Sequence, residues 1–208
     1  VERDEGLVSR VKSVHENGWI TGSRGWGYSW DQELAWRALL RTHTTTVTAE
    51  AIYRGLKGRV FTIGRVFRNE KPDFKHLVEL HQLDAIVIEE GASIRKLMGY
   101  LTAFYKKLGF EKVKFWPTFF PYTEPSMQSM IYSEKLKDWI ELCGMGIFRP
   151  EVTKPLGYDG PVLAWGMGIE RLAMLIYDVD DIRELYENRL SFLRGYRSIS
   201  LKLKGQII

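Results

Sequence analysis

Two stretches of this sequence bring arginines, glycines and carboxylates into patterns that suit the binding of anions and of a small polar ligand. The first is Val60-Phe61-Thr62-Ile63-Gly64-Arg65-Val66-Phe67-Arg68-Asn69-Glu70, a β-branched and aromatic run followed by the polar stretch from Lys71 to His76. Leu80 to Ile88 then reads as the returning strand of an antiparallel pair. Side chains alternate across a strand, so Arg68 and Glu70 share one side, and Gln82 and Asp84 share one on the return. Such a face is either solvated or kept for a ligand. The apolar neighbours within Leu80-His81-Gln82-Leu83-Asp84-Ala85-Ile86-Val87-Ile88 favour the ligand, because polar groups inside a strand of this kind need partners.

The second stretch is Val162-Leu163-Ala164-Trp165-Gly166-Met167-Gly168-Ile169-Glu170-Arg171-Leu172-Ala173-Met174, which reads as a buried strand, two glycines and a helix. Ile169, Leu172, Ala173 and Ile176 fall at i, i+3, i+4 and i+7, so one helical face docks on a sheet. Gly166 and Gly168 at a strand-to-helix turn let backbone approach a ligand closely. Arg171 lies in the first helical turn, where the helix dipole also favours anions. A triphosphate clamp fits this pattern, and so does a structural turn followed by a surface arginine.

A third run, Phe120-Pro121-Tyr122-Thr123-Glu124-Pro125-Ser126-Met127, alternates so that Phe120, Tyr122 and Glu124 share a side. Two aromatic rings then stand beside a carboxylate, either as core or as the wall of a pocket.

The elements that must position these groups are helices at about 31–41, 48–56, 92–108, 126–137, 168–177 and 180–194, and strands near 58–68, 79–89, 112–119, 138–144 and 161–166. Strands in succession with helices inserted predict an α+β fold: an antiparallel sheet flanked by helices rather than a parallel nucleotide-binding sheet. With 208 residues, 45% of them hydrophobic and 27% charged, the composition predicts one domain over 1–208. The single cysteine, Cys143, cannot form an internal disulfide, and with only 4 histidines there is no zinc signature. Cys143 alternates with Trp139 and Glu141 and reads as a buried strand residue.

No run reaches the length of a membrane span and the start lacks a signal-peptide pattern, so the expected location is the cytoplasm, with no membrane partner. A net charge of +4 permits nucleic-acid contact without demanding it. The basic end from Arg183 to Lys204 is a solvated face, or a contact for RNA phosphate or a partner subunit. The loop Thr21-Gly22-Ser23-Arg24-Gly25-Trp26-Gly27-Tyr28-Ser29-Trp30 is too aromatic to stay in water; it packs on the core or a partner, or covers the site.

Taken together, Gly64-Arg65-Val66-Phe67-Arg68-Asn69-Glu70 with His81-Gln82, and Gly166-Met167-Gly168-Ile169-Glu170-Arg171, resemble motifs 2 and 3 of class II aminoacyl-tRNA synthetases. With Arg41-Thr42-His43-Thr44-Thr45-Thr46, the Phe120 to Met127 run, Trp139-Ile140-Glu141-Leu142 and Gly146-Ile147-Phe148-Arg149-Pro150-Glu151, the chain is similar to α subunits of phenylalanyl-tRNA synthetases of the archaeal and eukaryotic type, over nearly all of 15–197.

The resemblance implies the class II catalytic fold and the ATP-dependent activation of phenylalanine for transfer to tRNA(Phe), with ATP and Mg2+ bound. It implies Arg68 at the α-phosphate, Arg171 at the γ-phosphate, and Glu70, Glu141, Gly166 and Gly168 around ATP. Glu124 and Glu141 become the candidate metal ligands, as hard oxygen donors. Phe120 and Tyr122 would surround the phenyl ring, while His43, Thr45, Gln82 and Asp84 would meet the amino acid's polar end. Asp84 stands where many members have Glu, one methylene shorter, and Tyr122 stands where bacterial relatives have Phe. The family's motif 1, a long helix and strand that builds the dimer interface, does not precede the Thr-His-Thr segment, so the expectation is a catalytic-core piece of an α subunit that works with a β subunit as α2β2. The rivals are a synthetase that charges tRNA with phosphoserine and a non-catalytic synthetase-like module acting in assembly or regulation.

Overall fold

The computed structural model describes residues 4–74 and 76–195. Its frame is a six-stranded sheet in the order β1-β2-β6-β5-β4-β3, in which every neighbouring pair is antiparallel. The strands are β1 (Gly58–Phe67), β2 (Glu79–Ile88), β3 (Val113–Pro117), β4 (Thr123–Ser133), β5 (Asp138–Phe148) and β6 (Leu163–Gly168). Around them lie α1 (Glu5–Asn17), α2 (Gln32–Ala35), α3 (Thr45–Tyr53), α4 (Ile94–Lys107), α5 (Pro150–Thr153), α6 (Ile169–Tyr177), a 3-10 turn (Ile182–Leu185) and α7 (Leu190–Gly195). This is the α+β architecture that the sequence predicts.

Alternation along the strands feeds two apolar cores, one on each face of the sheet. On one face, Leu97, Leu101 and Tyr105 of α4 repeat every four residues, and all are buried against Val87, Ile131, Met145 and Leu163. Each of these leucines gains roughly 1.5–3 kcal/mol on burial. The Tyr105 hydroxyl bonds Ser129 Oγ at 2.7 Å, so its polar tip is satisfied inside this core. Ser93 caps α4 by accepting from the Lys96 N–H. On the other face, Ala51 and Ile52 of α3 pack with Ile86, Ile88, Phe148, Val162 and Ala164. That second core stops short of one end of β2 and β6, where Gln82, Asp84 and Gly166 replace apolar residues.

Several predicted elements differ. The helix expected at 126–137 is the strand β4, because pairing with β5 from Thr123 opposite Phe148 to Ser133 opposite Asp138 overrides the helix-like spacing of Met127, Met130 and Ile131. The helix at 31–41 shrinks to one turn, Gln32–Ala35, after which Leu39 and Leu40 are exposed with no face to dock. The strand expected at 161–166 runs on to Gly168, so Gly166 sits within a strand and not in a turn. In place of one helix at 180–194 there is the 3-10 turn and the short α7. The sequence reading also passed over α1, which Asp4 caps at its start and Gly18, at φ 81°, ends in the left-handed region. Cys143 is buried, and burial pushes its thiol pKa up to about 12, which leaves it inert.

The aromatic loop 21–30 folds back on α1. Trp26, Tyr28 and Trp30 surround the His15 ring at 4.8, 5.4 and 5.2 Å between centroids, and no residue of this loop lines the site described below. Of the basic end, Arg197, Lys202 and Lys204 lie outside the described residues.

Candidate active site

A cavity of about 320 Å³ opens on the α3 face of the sheet, over the glycines of β5 and β6. Its walls come from the segment before α3, from the β1–β2 hairpin, from the 118–123 turn ahead of β4, and from the start of α6.

At one end stand His43, Thr45, Gln82 and Asp84. The β1–β2 register sets Gly64 opposite Gln82 and Thr62 opposite Asp84. Asp84, 3% exposed, accepts from the Thr45 hydroxyl at 2.7 Å and from the Thr48 hydroxyl at 2.5 Å. His43 Nδ1 lies 3.8 Å from Asp84 Oδ2 and touches the Thr45 hydroxyl, and the Gln82 amide nitrogen lies 3.1 Å from His43 Nε2. The Gln82 carbonyl oxygen is buried with no partner. Burial raises the Asp84 carboxyl above its ordinary range, against the lowering effect of the Thr48 and Thr45 hydroxyls and of His43. Burial lowers the His43 pKa, and so does the charge of Arg68, while Asp84 opposes both. A neutral His43, a buried carboxylate and an orphan carbonyl on one strand supply acceptors of the kind that an ammonium group satisfies.

Gly166 makes this packing possible. A Cβ there would stand 2.9 Å from the Gln82 amide nitrogen and 3.3 Å from Asp84 Oδ2, so a side chain would displace both.

Beside this end, the rings of Phe120 and Tyr122 stack at 5.8 Å and 15°, and His43 meets Tyr122 edge-on at 6.3 Å. The pair therefore stacks with each other and faces the cavity. Gly144 lies under it: a Cβ there would come within 2.8 Å of Phe120 Cζ. Burial and the Asp84 charge raise the Tyr122 pKa, so its phenol stays neutral.

Two arginines and three carboxylates, Glu70, Glu141 and Glu170, also line the cavity. Arg68, just past β1, ties its N–H to Val78 O at 2.9 Å, and Glu70 follows it into the wall. Arg171 in the first turn of α6 donates from Nη1 to Glu141 O at 3.2 Å. Gly168 is the residue before α6 and also lines the wall. Two guanidiniums and a helix N-terminus around one space suit a polyphosphate.

The metal pair does not assemble. Glu141 lines the cavity and pairs with Met130, whereas Glu124 is exposed, lies outside the lining and precedes Met130 by a strand length of about 20 Å. No metal-holding group of three or more His, Cys, Asp or Glu exists among the described residues. One carboxylate at a polyphosphate site is still a fit for Mg2+, which takes most of its remaining ligands from phosphates and water.

Three lining or supporting residues escaped the sequence reading: Thr48, Gly144 and Glu170. Thr48 stands one turn after Thr45 on α3, a spacing that was legible; the tasks of Gly144 and Glu170 depend on cross-strand contacts that no local pattern reports.

Residues 16–196 match the family model for tRNA synthetases class II core domain (F), which is most of the chain. The chain belongs to the class II tRNA synthetase core domain family. It is similar to the phenylalanine–tRNA ligase alpha subunit of Methanopyrus kandleri, 52% identical over 194 residues, covering 91% of this chain and 37% of that protein. It is 50% identical over 192 residues to the alpha subunit of Methanothermobacter thermautotrophicus, covering 92% and 37%, and 49% identical over 191 residues to that of Archaeoglobus fulgidus, covering 91% and 40%. The chain thus spans about two fifths of the length of these relatives. Among the described residues no helix is long and apolar enough to cross a membrane.

Proposed function

We propose that this class II core activates phenylalanine with ATP and belongs to a phenylalanine–tRNA ligase α subunit. The observation that carries the reading is the set of groups gathered around one cavity: buried acceptors at Gln82 and Asp84, the Phe120–Tyr122 ring pair, and the guanidiniums of Arg68 and Arg171.

In this reading Asp84 and the Gln82 carbonyl hold the substrate ammonium, with Thr45 and His43 fixing the carboxylate's place. The phenyl ring packs against Phe120 and Tyr122. Arg68 takes the α-phosphate and Arg171 the γ-phosphate end, with Glu70, Gly166 and Gly168 at the nucleotide and Glu141 at Mg2+. Mg2+, when bound, offsets phosphate charge. The substrate carboxylate oxygen attacks the α-phosphorus, the bond to the bridging oxygen breaks, and pyrophosphate leaves with its electrons. The ribose hydroxyl of tRNA(Phe) then attacks the adenylate carbonyl, loses its proton, and AMP leaves. No side chain forms a covalent bond; positioning and fixed positive charge lower the barrier.

A phosphoserine substrate fits less well, because the stacked Phe120 and Tyr122 rings offer its phosphate no donor, and Arg68, whose charge reaches His43, is assigned to ATP. A β subunit and tRNA(Phe) are the proposed partners and the cytoplasm the proposed location.

Amino-acid-dependent ATP–pyrophosphate exchange, by the chain alone and with a β subunit, tests the reading. The expected result is exchange with phenylalanine that Arg171→Ala lowers by about 10²–10³. Exchange with phosphoserine alone, or none in either preparation, would refute it.

A further inference from the structure

The reaction above leaves Glu170 without a task, yet this carboxylate is 6% exposed and lines the cavity. Its Oε1 accepts from the His81 backbone N–H at 2.6 Å, from His81 Nδ1 at 2.9 Å and from the Tyr186 hydroxyl. The His81 and Tyr186 rings stack at 6.2 Å and 15° behind it. Burial and Glu170 itself raise the Tyr186 pKa, so the phenol keeps the proton that it donates.

The topology explains why a side chain takes this place. Pairing of β2 with β6 ends with Gln82 opposite Gly168. One residue further the partner chain has turned into α6, so the His81 N–H has no strand carbonyl to meet, and the Glu170 carboxylate replaces it. The helix start needs help as well, since Gly168 offers no side-chain cap, and a carboxylate in the first turn complements the dipole. Oε2 is buried without a partner among the described residues.

We propose that Glu170 is a positioning residue for the nucleotide end of the site: by gathering β2 and the Tyr186 segment onto the first turn of α6, it holds Arg171 at a set distance from Arg68 and Gln82. The assignment rests on the proposed function, in which Arg171 grips the γ-phosphate end.

The test is calorimetric titration of the chain with ATP and, separately, with phenylalanine, for the wild type, Glu170→Ala, Glu170→Gln and Tyr186→Phe, with a thermal melt of each. Tyr186 does not line the cavity, and its hydroxyl meets Glu170 and, at 3.1 Å, His81 Nδ1, which is itself bonded to Glu170 and does not line the cavity either. The ATP Kd should rise about tenfold in Glu170→Ala and about threefold in Tyr186→Phe, with Glu170→Gln between wild type and Ala, while the phenylalanine Kd stays within about twofold. Unchanged ATP affinity, or parallel weakening of both ligands, overturns the assignment. If Glu170→Ala does not fold, Tyr186→Phe decides. A wild type that binds neither ligand refutes the proposed function and this assignment together; a wild type that binds both, matched by its variants, refutes this assignment alone.

Discussion

Asp84→Asn removes one buried negative charge while keeping the side chain's size. Asp84 is 3% exposed, takes the Thr45 and Thr48 hydroxyls at 2.7 and 2.5 Å, and lies 3.8 Å from His43 Nδ1. With no ligand present, burial works against its charge. An arriving ammonium reverses that balance, through a charge-assisted hydrogen bond whose loss from a buried pair costs about 3–4 kcal/mol. Phenylalanine affinity should therefore drop roughly 10²–10³-fold, with ATP affinity within about twofold.

Stability should move differently. The folded pKa of Asp84 lies above the ordinary value of 3.8, so the folded state holds this proton more tightly than the unfolded chain does. The stability that follows is present below that value and is lost as pH rises through the folded pKa. Asparagine has no such loss, although one threonine hydroxyl must turn to meet its amide, at about 1 kcal/mol. At about pH 7 the variant should melt within a few degrees of wild type or above it, and its relative advantage should shrink toward about pH 4. Calorimetric titration with phenylalanine and ATP, with melts at both pH values, measures this. An affinity loss below about tenfold, or equal losses for both ligands, would refute the assignment of Asp84 to the ammonium.

Gly144→Ala should push the Phe120 ring into the cavity and raise the phenylalanine KM by about tenfold in pyrophosphate exchange, leaving the ATP KM in place. Glu141→Gln should raise the Mg2+ concentration needed for half-maximal exchange, whereas Glu124→Gln, remote along β4, should not; a Mg2+ titration of both separates them. Leu101→Ala, in the core on the far face, should lower stability by about 2–5 kcal/mol in a denaturant melt without changing either ligand's affinity at temperatures where the variant is folded.

The residues along β1, β2, α4 and α6 were legible because their patterns are local: a period of two sets Gln82 and Asp84 on one side of a strand, and a spacing of three and four sets Leu172 and Ile176 on one side of a helix. The same local reading went astray at 126–137, where methionines and serines fit either period and only the pairing with β3 and β5 on either side makes the segment a strand. Distances between remote residues were beyond it altogether. Glu124 and Glu141 look equivalent as carboxylates, yet the β4–β5 register holds them apart. Gly166 looks like a turn residue, and its task is to let Gln82 and Asp84 of the neighbouring strand come close. Nothing local marks Glu170, and its partners His81 and Tyr186 reach it only after the sheet has ended and the chain has turned. Residue types and periodicity determined which groups this chain carries and which face each takes. Strand register and the closure of the sheet over its two cores decided which of them meet, since contacts between distant segments are set by packing and not by neighbours in sequence.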